Sequence, residues 1–302
     1  MTIEFGLGLQ AGPPKGQLHR FIGDLDTSLP QLDKFMSDLW MTDHFIWEDE
    51  PTHEALMTIA YLAGRYPHMN VGPIVLGQGY RNPALTAKMG ATLQALSNGR
   101  FIMAIGAGWK LDEYLAYGYP FPSAGVRVEQ LEDTLEIITR LWKAPGKVSY
   151  QGKHYQISDA YCEPKPDPIP TLVVGGGGNK VMRLAVRFAD WWNLPDANFT
   201  YYNEHLTVLE RHCEELGRDP KSLRRTWFGR IAVGKTEAQA KEFAGPRWTT
   251  YNAFVGTSSQ ILDQIAPFIE AGVDYFMFVV QGLPNPDVLG LLTEEVFPRL
   301  RS

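Results

Sequence analysis

Thr171-Leu172-Val173-Val174-Gly175-Gly176-Gly177-Gly178-Asn179-Lys180-Val181-Met182 joins a short apolar run, four consecutive glycines and the start of a helical pattern that continues through Leu184, Ala185 and Phe188. An apolar run without alternation suits a strand buried on both faces, as in a parallel sheet. Glycines between strand and helix leave backbone N–H groups open at a helix N-terminus, where geometry and the helix dipole favour an anion. The favoured reading of Gly175, Gly176, Gly177, Gly178 and Asn179 is therefore a phosphate-binding loop, with close packing of strand on helix as the plain alternative. The Gly-Lys-Ser/Thr ending of a nucleoside-triphosphate loop is missing.

The same unit recurs in both directions along the chain. Candidate strands lie at 3–9, 38–42, 70–76, 101–107, 171–174, 191–194, 226–233 and 273–280. Helical patterns fill the gaps. The one at 82–97 opens on Asn82-Pro83 and stops at Asn98-Gly99, the residues that cap and end helices. The one at 126–142 sets Leu131, Leu135, Ile138 and Leu141 on one face. The one at 257–270 starts in Thr257-Ser258-Ser259 and ends before Gly272. Eight strand–helix units predict an α/β chain folded as a (β/α)8 barrel, a doubly wound open sheet being the rival. The stretch 144–170 breaks the rhythm: two alternating runs flank Gln151-Gly152-Lys153, which predicts a hairpin inserted between the fourth helix and the fifth strand.

Composition narrows the function. A chain of 302 residues is expected to form one domain, 1–302, since a barrel takes about 250 residues. Hydrophobic residues at 44% and charged residues at 21% exclude a disordered chain. Net charge is −6 with no basic stripe, which argues against nucleic acid and anionic membrane as partners. Cys162 and Cys213 do not make a disulfide framework, and the opening MTIEFGLGLQ does not read as a signal peptide, so a cytoplasmic protein is expected.

Barrel sites form at the carboxyl ends of the strands. After the first strand, Gly6-Leu7-Gly8-Leu9-Gln10-Ala11 matches a dinucleotide fingerprint, but Pro13-Pro14 stands where the helix should begin. Gly8 is read instead as leaving room for a flat ligand. After the second strand come Asp43 and His44, the latter able to carry a proton near neutral pH, or else a packed histidine orienting the loop. After the third come Gly77 and Gln78; after the fourth, Gly108, Trp109 and Glu113, the last two one turn apart if helical. No metal-ligand spacing occurs among the histidines and cysteines, so no metal is expected.

In order and spacing, Trp40…Asp43-His44-Phe45, Arg81-Asn82-Pro83-Ala84, Leu96-Ser97-Asn98-Gly99-Arg100-Phe101, Gly106-Ala107-Gly108-Trp109…Glu113-Tyr114 and the Tyr150–Tyr155 hairpin resemble the bacterial luciferase-like oxidoreductases. Ala189-Asp190-Trp191-Trp192-Asn193 and Phe254-Val255-Gly256-Thr257 extend the resemblance over nearly the whole chain. It implies a barrel that binds the deazaflavin coenzyme F420, here favoured, or flavin mononucleotide, FMN. The coenzyme phosphate would sit at Gly175 to Gly178, and the ring would lie near Gly8, Asp43, Gly108 and a non-prolyl cis peptide expected at Gly77-Gln78. His44, Glu113 and Trp109 would serve catalysis. The family expectation is a homodimer acting on a small molecule by hydride transfer, or a monooxygenase using reduced FMN and dioxygen. A separate flavin or deazaflavin reductase is the further partner it admits. Two readings of other classes compete: a non-catalytic flavin-binding protein, and a barrel lyase or isomerase for a phosphorylated substrate.

Overall fold

A computed structural model of the chain describes residues 2–10, 12–13, 15–246, 249–250 and 252–301. Eight parallel strands recur with helices between them: β1 Glu4–Leu9, β2 Met36–Met41, β3 Asn70–Pro73, β4 Met103–Gly106, β5 Leu172–Gly175, β6 Trp191–Pro195, β7 Arg224–Val233 and β8 Tyr275–Val280. Their order is β3-β2-β1-β8-β7-β6-β5-β4, and a parallel bridge from Val71 to Phe101 joins the two ends. The open sheet is thereby set aside in favour of a barrel. Two short strands add to its rim: Leu76–Gly77 beside the end of β4, and Phe254–Gly256 beside the end of β7. The second was not expected as a strand.

The expected helices form with their expected caps. The Asn82 side chain accepts from the Ala84 and Leu85 amides at the start of Pro83–Leu96. Thr257 and Gln260 close a capping box on Ser258–Glu270. Helix Ala124–Lys143 buries Leu131, Leu135, Ile138, Leu141 and Trp142, and Trp142 Nε1 donates to the Ala87 carbonyl of the neighbouring helix at 2.9 Å. The hairpin Val148–Gln151 and Gln156–Ala160 docks on that helix through two carboxylates, Glu129 meeting Lys153 Nζ and His154 Nε2 at 2.9 Å each. Asp133 accepts from the His154 amide at 2.7 Å, the Tyr155 amide at 3.1 Å and the Tyr150 hydroxyl at 2.9 Å.

Side chains plug the barrel's lower interior. Trp40, Ile102, Ala104, Val173, Tyr275 and Met277 form an inner cluster separate from the strand–helix core. Trp40 Nε1 donates to the Tyr275 hydroxyl at 2.9 Å, and that hydroxyl donates to Asp38 at 2.6 Å. Gly6 makes this possible, since a Cβ there would lie 2.4 Å from Trp40 Nε1. With that end filled, a ligand can enter only at the carboxyl ends of the strands. Among the described residues no helix is long and apolar enough to cross a membrane.

Candidate active site

The carboxyl ends of the strands surround a cavity of about 850 Å³, within the roughly 300–1,000 Å³ common for small-molecule sites. Asp43, His44, Gly77, Gly108, Trp109, Glu113, Gly175 and Gly176 line it, together with Trp47 and Tyr80.

The loop after β2 is held by charge. Arg81 Nη1 and Nη2 each donate to Asp43 at 2.8 Å, and the Gly77 amide donates to the same carboxylate at 2.9 Å. Asp43 therefore ties the tip of β2 to that of β3, and its oxygens are engaged within the protein. The tie aims His44 at Glu113, with Nδ1 and Oε2 3.0 Å apart. Glu113 is 0% exposed and lies on helix Leu111–Ala116. It also accepts from the Phe45 amide at 3.0 Å, the Ile46 amide at 3.1 Å and the Tyr80 hydroxyl at 2.9 Å. Burial pushes the Glu113 carboxyl up, but the hydrogen bonds from His44, Ile46 and Tyr80 outweigh it and hold it below the usual range. Burial and the nearby Glu113 charge push the Tyr80 phenol well up, so it remains a donor. Glu113 thus stays ionised and fixes the Nδ1–H tautomer, and His44 Nε2 is left to meet a ligand.

Trp47 and Trp109 flank the imidazole edge-on, with ring centroids 4.7 and 5.8 Å away. The expected one-turn spacing of Trp109 and Glu113 does not occur, because the helix begins only at Leu111. Trp109 is instead a rim residue, 66% exposed.

Glycines form the opposing floor, and several do other work than the sequence indicated. The non-prolyl cis peptide is Ile74-Val75, three residues before the expected Gly77-Gln78. Gly106 and Gly175 make room for the Val75 side chain: a Cβ at either would come within 2.9 and 2.8 Å of it. Gly8 does not face a ligand, because Val279 and Phe228 fill the space before it, 2.8 and 3.0 Å from where a Cβ would stand. Gln78 turns away, bonded to Gln130 at 3.3 Å and accepting from Tyr155 at 3.4 Å. Ala11 and Pro14, part of the weak fingerprint region, lie outside the described residues.

The four-glycine loop divides in two. The Gly176 amide donates to the Asn193 carbonyl at 2.9 Å, and its own carbonyl accepts from Trp192 Nε1 at 3.0 Å, so this half is sewn to β6. Gly177 packs on His205 and Leu194, and Gly178 caps helix Asn179–Phe188. The Asn179 side chain accepts from His212 Nε2 at 2.8 Å and pins the helix outward. From this segment Gly175, Gly176 and Val181 line the cavity; Gly177, Gly178 and Asn179 do not.

Asn193, Asp196, Arg230 and Gln281, on the far wall, were not picked out from the sequence. Asp196 and Gln281 directly follow β6 and β8, so reading outward from those strands would have found them, whereas Asn193 and Arg230 lie inside β6 and β7.

Fold and site together define a parallel barrel whose strand ends enclose a cavity lined by glycines and by the His44–Glu113 pair. Residues 36–254 match the family described as luciferase-like monooxygenase, and the chain belongs to that family. It is an oxidoreductase. It is 25% identical over 308 residues, 88% of this chain and 91% of the other, to the F420-dependent glucose-6-phosphate dehydrogenase of Amycolatopsis mediterranei (strain U-32). It is 27% identical over 203 residues, 64% of this chain and 52% of the other, to pyrimidine monooxygenase RutA of Acinetobacter baylyi (strain ATCC 33305 / BD413 / ADP1). Its fold matches that of an F420-dependent secondary alcohol dehydrogenase in complex with an F420-acetone adduct, with a TM-score of 0.84, 19% identity and 100% of both chains covered.

Proposed function

We propose that the chain binds coenzyme F420 in this cavity and interconverts a small alcohol and its carbonyl compound. The observation that carries the reading is the His44–Glu113–Tyr80 network standing over a glycine-walled cavity. The residues suit the group. Gly176 lines the cavity with only Val181 near the place of a side chain, so a flat ring can approach its backbone closely, while Gly77, Gly106 and Gly108 give their space to Tyr80, Val75 and Tyr114. The amides at the start of helix Asn179–Phe188 suit a phosphate. When bound, the coenzyme supplies a hydride donor or acceptor. His44 Nε2 takes the proton of the substrate hydroxyl in the oxidative direction and returns it in the reductive one. The Glu113 carboxylate stabilises the imidazolium that results, and Trp47 and Trp109 shield it from water.

Titration with F420 and with FMN, followed by fluorescence and absorbance, tests this. Saturable F420 binding without FMN binding is expected. FMN binding alone would favour an oxygenase using reduced FMN and dioxygen, a reading that the likeness to the pyrimidine monooxygenase keeps open. Binding of neither would overturn both.

A further inference from the structure

The wall facing His44 is built differently. In a ring of eight strands, the tips of β2 and β6 are diametrically opposite. Asp196 follows β6 at once, fixed by its amide donating to the Phe228 carbonyl at 2.8 Å and its carbonyl accepting from Asn252 at 2.9 Å. Its carboxylate is less well served. Oδ1 is sealed from solvent and has no hydrogen-bond donor among the described residues. Arg230 Nη1 stands 4.0 Å away, close enough for attraction but too far for a hydrogen bond. The Asp196 side chain is 33% exposed, which leaves Oδ2 as the oxygen that meets a ligand. Among the described lining residues the carboxylates Asp43, Glu50, Glu113 and Asp196 outnumber the cations Lys110 and Arg230. Both cations already face carboxylates, Lys110 that of Asp112 and Arg230 that of Asp196.

We propose that Asp196 sets the substrate class: it accepts a hydrogen bond from a hydroxyl of an uncharged alcohol or polyol and repels a substrate bearing a phosphate. The inference rests on the hydride-transfer reading and departs from the phosphorylated sugar in the name of one relative. An under-hydrogen-bonded carboxylate in a cavity wall gains from a hydroxyl donor, and a phosphate brought beside it would place like charges together. Burial also pushes the Asp196 carboxyl up, to about 6, the Arg230 charge offsetting only part, so it is ionised in an assay at pH 8.

The test uses the F420-loaded protein at pH 8 and matched pairs: glucose and glucose-6-phosphate, glycerol and glycerol phosphate, 1,6-hexanediol and its monophosphate. Dissociation constants are measured by calorimetry, with kcat and KM where turnover occurs. In the wild type, uncharged members bind at least tenfold tighter than their phosphates. Asp196 has φ 48, a left-handed conformation that asparagine also tolerates, so Asp196→Asn is the conservative variant. It should weaken the uncharged ligand about fivefold to tenfold and tighten the phosphate about tenfold, with F420 affinity unchanged. These opposite shifts separate a contact role from a structural one, which would move both ligands the same way. The proposal is overturned if the wild type prefers phosphates, if no uncharged member binds, or if the variant moves both constants together. Failure to bind F420 at all would instead remove the hydride-transfer reading.

Discussion

Two carboxyl groups line one cavity, and their surroundings displace them in opposite directions. Glu113 is fully buried yet receives four hydrogen bonds, from His44, Tyr80 and the Phe45 and Ile46 amides, which keep it ionised. Asp196 has a buried oxygen without a donor among the described residues and an arginine just beyond hydrogen-bond reach, so desolvation dominates and raises it. The difference teaches that burial alone does not decide a carboxyl's state; the count of donors does. A saturated wall holds one geometry and suits proton transfer, which needs fixed distances. An unsaturated wall has bonding capacity left for a ligand.

The largest break in this contrast comes from His44→Ala. Loss of the proton carrier should lower kcat about 10²- to 10⁴-fold while coenzyme affinity, read by fluorescence titration, stays nearly constant. Unchanged turnover would move proton transfer elsewhere. Next comes Arg81→Ala, which leaves the buried Asp43 charge without its partner. It should cost about 3–5 kcal/mol of folding stability in urea unfolding, against near neutrality if the loop can relax. A smaller effect is expected at the glycine loop: Gly176→Ala, at φ 131, should weaken coenzyme binding about tenfold, or roughly 1.4 kcal/mol.

The smallest effect sharpens the comparison through pH. Glu113, held low, contributes stability that is present above its unfolded pKa and lost as pH falls through the folded value. Asp196, held high at about 6, behaves oppositely: its contribution is present in acid and lost as pH rises through about 6. Replacing it by asparagine removes that loss. The Tm of Asp196→Asn minus that of wild type should therefore grow between pH 5 and pH 8, by an amount reduced by solvent at a side chain one third exposed. A constant difference would show the carboxyl to be indifferent to its burial.

Much of this wall-to-wall architecture was legible in the sequence, unevenly. That Asp43, His44 and Glu113 line the cavity was legible because each follows a strand whose apolar run is plain, and strand ends are where barrels open. The glycines misled in part. A glycine says that a side chain is not tolerated but not what occupies the space. Gly8 makes room for Phe228 and Val279, and Gly175 for Val75, rather than for a ligand. Asp196 carried no motif at all, and its neighbour Arg230 lies 34 residues further along the chain.

By itself the sequence determined the alternation of eight strands with helices, the caps that bound them, the hairpin between the fourth helix and fifth strand, and the residue types at the early strand tips. Those features depend on periodicity and neighbours within a few residues, which the chain carries locally. Only the tertiary structure decided that the ring closes through Val71 and Phe101, that His44 meets a carboxylate 69 positions away, and that Asp196 stands on the opposite wall. Such contacts arise from the cyclic order of the strands and the burial it creates, and no local pattern encodes either.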